Sequence, residues 1–175
     1  TVFPGSVSPR IFRSKQNGLW NSTLTWEAFD GCYWLTGLIP TAADSTITIL
    51  HEVTLNNTVT ADQVVVNSGG TLIVSSGNLI LQNGNGTDLL VDGTFTLSGN
   101  LSGDGTARIA SGGVFNWVNG NLPSGSGSLL IEAAASATFN GGNGINQGRS
   151  IINNGTISWL GGQIVSGDGG SFVNN

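Results

Sequence analysis

A repeat of about 21 residues constrains this chain more than any other feature of its sequence. Gly113-Val-Phe-Asn-Trp-Val-Asn-Gly-Asn-Leu-Pro-Ser-Gly-Ser-Gly aligns without a gap on Gly155-Thr-Ile-Ser-Trp-Leu-Gly-Gly-Gln-Ile-Val-Ser-Gly-Asp-Gly, an offset of 42, or two repeats. A weaker copy, Ala137-Thr-Phe-Asn-Gly-Gly-Asn-Gly-Ile, lies between them, and Gly93-Thr-Phe-Thr-Leu-Ser-Gly-Asn-Leu-Ser-Gly-Asp-Gly precedes both.

Aligned, the copies place apolar residues in columns. One column runs Val74, Leu97, Trp117, Phe139, Trp159, and two positions earlier stand Leu72, Phe95, Phe115, Ala137, Ile157. Side chains alternate along a strand, so shared parity puts both columns on one face. A second strand position recurs as Leu79, Leu101, Leu122, Ile145, Ile164, and a third as Val66, Val91, Ile109, Ile131, Ile152, Val173. Three short strands per repeat describe a coil with three sides. A lone coil leaves its backbone unpaired and its apolar face wet, whereas a neighbour ~4.8 Å away pairs the one and buries the other. The expected fold is therefore all-β: a single-stranded parallel β-helix, a three-sided solenoid of five to six coils.

The glycines mark its corners. Ser102-Gly-Asp-Gly, Ser124-Gly-Ser-Gly and Ser166-Gly-Asp-Gly are expected at one corner, Asn67-Ser-Gly-Gly, Ala110-Ser-Gly-Gly and the shortened Asp92-Gly at another. Residues 1–45 do not follow the repeat; they hold Trp20, Trp26 and Trp34 with Phe12, Phe29 and Tyr33 and are expected to cap the solenoid. Residues 46–175 are expected to form the coils. Ser171-Phe-Val-Asn-Asn stops inside a repeat, so the coils are expected to continue in a longer parent or to be closed by a partner.

Composition narrows the class. The 175 residues include 28 Gly and only 9% charged residues, against about 7% and about 25% in ordinary soluble domains. Abundant β-branched residues and scarce charge oppose disorder. The net charge of −5 leaves no basic face for nucleic acid. No apolar run approaches the ~20 residues of a membrane span. The N-terminus lacks a signal-peptide pattern, so an exported chain would be in its mature form. Cys32 is the single cysteine, which removes disulfide frameworks and cysteine zinc sites.

The run Phe12-Arg-Ser-Lys-Gln-Asn-Gly-Leu-Trp-Asn-Ser-Thr-Leu-Thr-Trp-Glu, with Pro40-Thr-Ala-Ala-Asp-Ser-Thr-Ile-Thr-Ile and Val64-Val-Val-Asn-Ser-Gly-Gly-Thr-Leu, resembles the start of large secreted bacterial surface proteins exported by a C-terminal sorting domain. The likeness covers roughly the first hundred residues. It implies an adhesin-like parallel β-helix and an extracellular or cell-surface location, and it brings no catalytic motif. A sorting domain is absent here, which implies a fragment or processed product.

Candidate chemistry is sparse. Lyase sites on such folds need clustered Asp with a basic residue, and glycoside hydrolysis needs two facing carboxylates. Asp104 and Asp168 are read as corner residues with Ser126 at the equivalent position between them, and Asp88 and Asp92 flank one strand. Arg108 and Arg149 fall in different columns. Gly84-Asn-Gly-Thr-Asp and Gly141-Gly-Asn-Gly-Ile-Asn match a calcium nonapeptide only in part and lack its period. His51, the single histidine, is read as a surface or turn residue. Trp117 and Trp159 are read as interior by parity. Thr94, Thr96, Val114, Asn116, Ser136, Thr138, Thr156 and Ser158 are read as an outward hydroxylated face whose ranks Val114 and Asn116 interrupt, as an ice-matching array would not be.

No catalytic, cofactor-binding or metal-binding residue is assigned, and no cofactor is implied. The sequence reads as a non-catalytic structural or adhesive module that can self-associate through its open C-terminal coil or meet extracellular polysaccharide. A carbohydrate-binding or polysaccharide-cleaving β-helix is the alternative, and an ice-binding solenoid stands behind it.

Overall fold

The computed structural model describes residues 9–141 and 145–175. Across them the chain is all-β and winds about five turns of a solenoid, some 22 residues apart. Its strands alternate as the sequence patterns require. In Thr46–Ile49, Thr71–Val74 and Thr94–Leu97 every second side chain is buried and the others are half-exposed.

The strands stack into three faces. On the first, Ile11–Ser14, Thr46–Ile49, Val64–Val66, Leu89–Val91, Ala107–Ile109, Ser128–Ile131, Ser150–Asn153 and Phe172–Asn174 run parallel. The second face stacks Gly18–Leu19, Glu52–Leu55, Thr71–Val74, Thr94–Leu97, Val114–Trp117, Ser136–Asn140 and Thr156–Gly161. The third face is broken. Thr58–Ala61, Asn78–Leu81 and Asn100–Gly103 form one sheet and Ile145–Gln147 pairs with Ile164–Ser166 in another, bridged only at Asn121 and Leu122. Pro123 follows the bridge; it has no N–H for a ladder, and no strand forms there.

On the second face the registers superpose the expected columns: Val53, Leu72, Phe95, Phe115, Ala137, Ile157, and Leu55, Val74, Leu97, Trp117, Phe139, Trp159. Phe95 and Phe115 stack at 5.4 Å. Below Phe115 the column narrows to Ala137. Phe139 uses that room, meeting Phe115 and Trp117 edge-on at 6.2 and 5.3 Å.

Two other columns depart from the sequence reading. Ile131 stands opposite Asn153, not Ile152, which therefore points outward. Ile151 and Asn153 are the buried members of that strand. The inward amide is satisfied: Asn153 Nδ2 donates to Asn174 Oδ1 at 2.6 Å, and its Oδ1 accepts Gly155 N at 3.1 Å. The break in the third face shifts the other column by two residues, so Leu122 bridges Gln147 rather than Ile145, whose side chain lies outside the described set. Gln147 is buried because its Nε2 finds the carbonyls of Arg149 and Ser171 at 2.9 and 2.6 Å.

The two ends differ. Within 9–45, Ile11–Ser14 and Gly18–Leu19 pair in parallel with the first coil, then Trp26–Phe29 and Trp34–Thr36 fold back antiparallel over the edge of the first face. Trp20 and Trp26, both buried, meet edge-on at 5.1 Å, and Trp26 Nε1 donates to Trp20 O at 2.7 Å. At the other end Trp159 keeps its column register yet is 56% exposed, against 1% for Phe139 one coil earlier. Against the interior placement expected for it, Trp159 is exposed, since among the described residues its strand is paired only with the preceding coil; Trp117 is fully buried as expected.

Candidate functional site

Three acidic residues and one arginine collect at the corner between the third and first faces. Asp62 follows Thr58–Ala61, Asp88 precedes Leu89–Val91, Asp104 follows Asn100–Gly103 and Arg149 precedes Ser150–Asn153. The register Ala61, Leu81, Gly103 makes Asp62 and Asp104 equivalent positions two coils apart, with Gln82 between. The sequence reading missed Asp62. Its signal was Val59, which belongs to the Leu79 and Leu101 column but falls in a shorter coil.

Asp88 is wholly buried, and backbone N–H groups satisfy both its oxygens: Gly84 N at 2.9 Å and Thr106 N at 2.6 Å. That use explains the partial calcium motif, since the carboxylate holds its own turn. Residues 142–144 of the second partial motif lie outside the described residues. Asp62 Oδ1 accepts Gln63 N at 2.9 Å. Burial pushes the Asp62 carboxyl above the usual aspartate range, and the hydrogen-bonded, charged Asp88 pushes it further.

Asp104 has the opposite environment. Hydrogen bonds from Ser126, including its N–H at 3.0 Å, and then the charge of Arg149 hold it below the usual range. Arg149 is buried, with Nη2 donating to Gly103 O at 2.5 Å while Nε and Nη1 find no partner. Burial lowers its proton affinity, opposed by the charge of Asp104. Asp62 and Asp104 line one open cleft of about 550 Å³ with Ile80, Gln82 and Asn83. A second cleft, about 390 Å³, opens at the break in the third face between Asn121, Pro123, Ser124, Gln147, Val165 and Asp168.

The other candidates stand apart. Traced through the bridges, Asp168 is opposite Gly103 rather than Asp104, and both take positive φ, +50° and +88°. Asp92 sits at the far end of the strand that Asp88 precedes, its N–H bonded to Val66 O at 2.8 Å. Arg108 pairs with Glu132 at 2.5 Å on the outside of the first face. His51 lies at a corner with Nδ1 3.0 Å from Ser14 O, and Cys32 is exposed. The outward second-face ranks stack in register as read, with Ile73 as a further interruption beside Val114 and Asn116. Among the described residues no group of three or more His, Cys, Asp or Glu could hold a metal ion, and no helix is long and apolar enough to cross a membrane. No protein-family model, curated protein or solved structure matches this chain.

Proposed function

We propose that the chain is a non-catalytic extracellular module of a bacterial surface protein, serving as a rigid structural or adhesive rod. The in-register stacking of one coil on the next carries this reading: rigidity and repeated outward ranks are what a display scaffold needs. The corner chemistry supports it too. The Asp62 carboxylate accepts the N–H of Gln63 and the Asp104 carboxylate that of Ser126, so both are engaged within the protein. The apolar end at Trp159, Leu160, Val165 and Phe172 supports further stacking of coils, from the same chain or another copy.

Surface labelling of intact source cells with an antibody against this chain tests the location; signal only after lysis refutes it. A lyase and hydrolase screen on extracellular polysaccharides tests the rest. No turnover is expected, and turnover lost on Asp62→Asn or Asp104→Asn would make the protein an enzyme. A second reading, glycan binding without cleavage, is favoured by the 390 Å³ cleft, where Ser124 and Asp168 offer polar groups beside Val165 and Pro123. A glycan array separates the two readings.

A further inference from the structure

We infer that Asn85–Gly86 is a site of self-modification: the Gly86 backbone nitrogen closes on the Asn85 carboxamide, and hydrolysis of the succinimide leaves aspartate or isoaspartate at position 85. Asn-Gly pairs favour this ring because glycine has no Cβ to keep its nitrogen away from the preceding Cγ. Six such pairs stand among the described residues, at Asn17, Asn83, Asn85, Asn119, Asn140 and Asn154, and a seventh, at Asn143, lies outside them.

The fold decides between them, since attack needs a free amide nitrogen, a free carboxamide and a backbone able to swing one onto the other. Gly18 belongs to a strand paired with Val53, and Asn17 Oδ1 accepts Glu52 N at 3.0 Å. Gly84 N donates to Asp88 Oδ1 at 2.9 Å, and a Cβ on Gly84 would meet the Asp62 carboxylate, so that peptide is held. Gly155 N donates to Asn153 Oδ1 at 3.1 Å, and Asn154 Oδ1 accepts Asn175 Nδ2 at 2.7 Å. Asn140 pairs with Gly161 on the second face, and Gly141 is buried. Around Gly120 the chain is tied to the previous coil on both sides, Asn119 N to Leu97 O and Asn121 N to Gly99 O, and Gly120 packs against Gly99.

Asn85–Gly86 escapes these restraints. It lies in a corner insertion: Ala61 pairs with Leu81 and Val64 with Leu89, so residues 82–88 span a corner that Asp62 and Gln63 alone turn one coil earlier. Both residues are exposed, and Gly86, at φ +97°, has open space where a Cβ would stand. Among the described residues neither the Gly86 N–H nor the Asn85 carboxamide has a hydrogen-bond partner. The Asn85 carbonyl accepts Gln63 Nε2 at 2.6 Å, which polarises the peptide toward loss of the Gly86 proton.

Water is the co-reactant. Hydroxide takes the Gly86 N–H proton, the nitrogen bonds to Asn85 Cγ, and Nδ2 takes a proton from water and leaves as ammonia. Water then opens the ring. Breaking the new Cγ–N bond gives aspartate, and breaking the original backbone C–N bond gives isoaspartate. The added carboxylate enters a cleft already lined by Asp44 and Asp62.

The intact chain, incubated at mildly alkaline pH both folded and in urea, then digested in acid, reads this by peptide mass spectrometry with isoaspartate-specific methylation. In urea the Asn-Gly pairs should convert at comparable rates. In the folded chain Asn85 should outpace Asn83 by about tenfold or more, because a hydrogen bond to a carboxylate must break before Gly84 N can attack. Asn83 is exposed in the same loop, so exposure alone would not separate the two. An Asn83 or Asn119 that keeps pace with Asn85 in the folded chain, an Asn85 that stays intact there while converting in urea, or conversion without isoaspartate would each overturn the inference.

Discussion

Arg149 reaches back across two coils to donate Nη2 to the carbonyl oxygen of Gly103 at 2.5 Å. It can do so because Gly127 lies on the path: a Cβ there would come within 2.9 Å of Nη2 and 2.1 Å of Gly105 O. The cation is buried for a single carbonyl bond, with Nε and Nη1 unpartnered and no carboxylate in salt-bridge contact among the described residues.

That balance makes Arg149→Met a stabilising substitution. One charge-assisted hydrogen bond of about 1.5–3 kcal/mol is lost, while two unpaired buried polar atoms at about 1–3 kcal/mol each are removed. A net gain of roughly 1–3 kcal/mol is expected in urea unfolding; a lower midpoint would mean that the buried charge holds the corner.

Acid should loosen the Asp104 corner. Ser126 and Arg149 lower the folded-state pKa of Asp104, so its contribution is present above the ordinary aspartate value and disappears as pH falls through the lowered one. Asp104→Asn should flatten that part of the stability profile below the ordinary value and leave the rest unchanged. Paired unfolding curves across the acid range check it.

Ala134 occupies a position that glycine holds elsewhere. Gly70 N bonds Asn67 O, Gly113 N bonds Ala110 O and Ala135 N bonds Glu132 O, three copies of one turn, whose positive φ falls on Gly69, Gly112 and Ala134. At φ +63° the alanine Cβ crowds the backbone, so Ala134→Gly should stabilise by up to about 1 kcal/mol and Gly112→Ala should cost about as much. Thermal unfolding of the two variants reads the pair.

Trp117 and Trp159 share a column and should respond differently. Trp117→Asp buries an unpaired charge and is expected to abolish cooperative unfolding, while Trp117→Ala should cost roughly 3–5 kcal/mol. Trp159→Asp leaves its charge in water and should cost roughly 1 kcal/mol or less. Cooperative unfolding retained in Trp117→Asp would contradict the inward placement of the column.

The corner site was half legible. Asp88, Asp104 and Arg149 were each weighed for chemistry, but alignment by repeat placed Asp104 against Asp168 as a turn residue, left Asp88 flanking a strand and set Arg149 apart. Asp62 escaped notice because coil length varies at the third-face corner: where two residues turn the chain after Ala61, seven do so after Leu81. Sequence spacing then stops reporting spatial equivalence.

The sequence by itself determined the winding. Alternating apolar positions at a repeat near 21 residues leave a parallel three-sided solenoid as the arrangement that buries every column and pairs every strand, and the second face follows that rule from Leu72 to Trp159. Tertiary structure alone decided where the rule bends: Asn153 and Gln147 turn inward because hydrogen-bond partners wait there. It also decided that Trp159 faces water, because burial depends on the neighbouring coil rather than on parity. The same holds for the meeting of Asp62 with Gly84, set by how far an insertion folds back over its corner, which no local periodicity encodes.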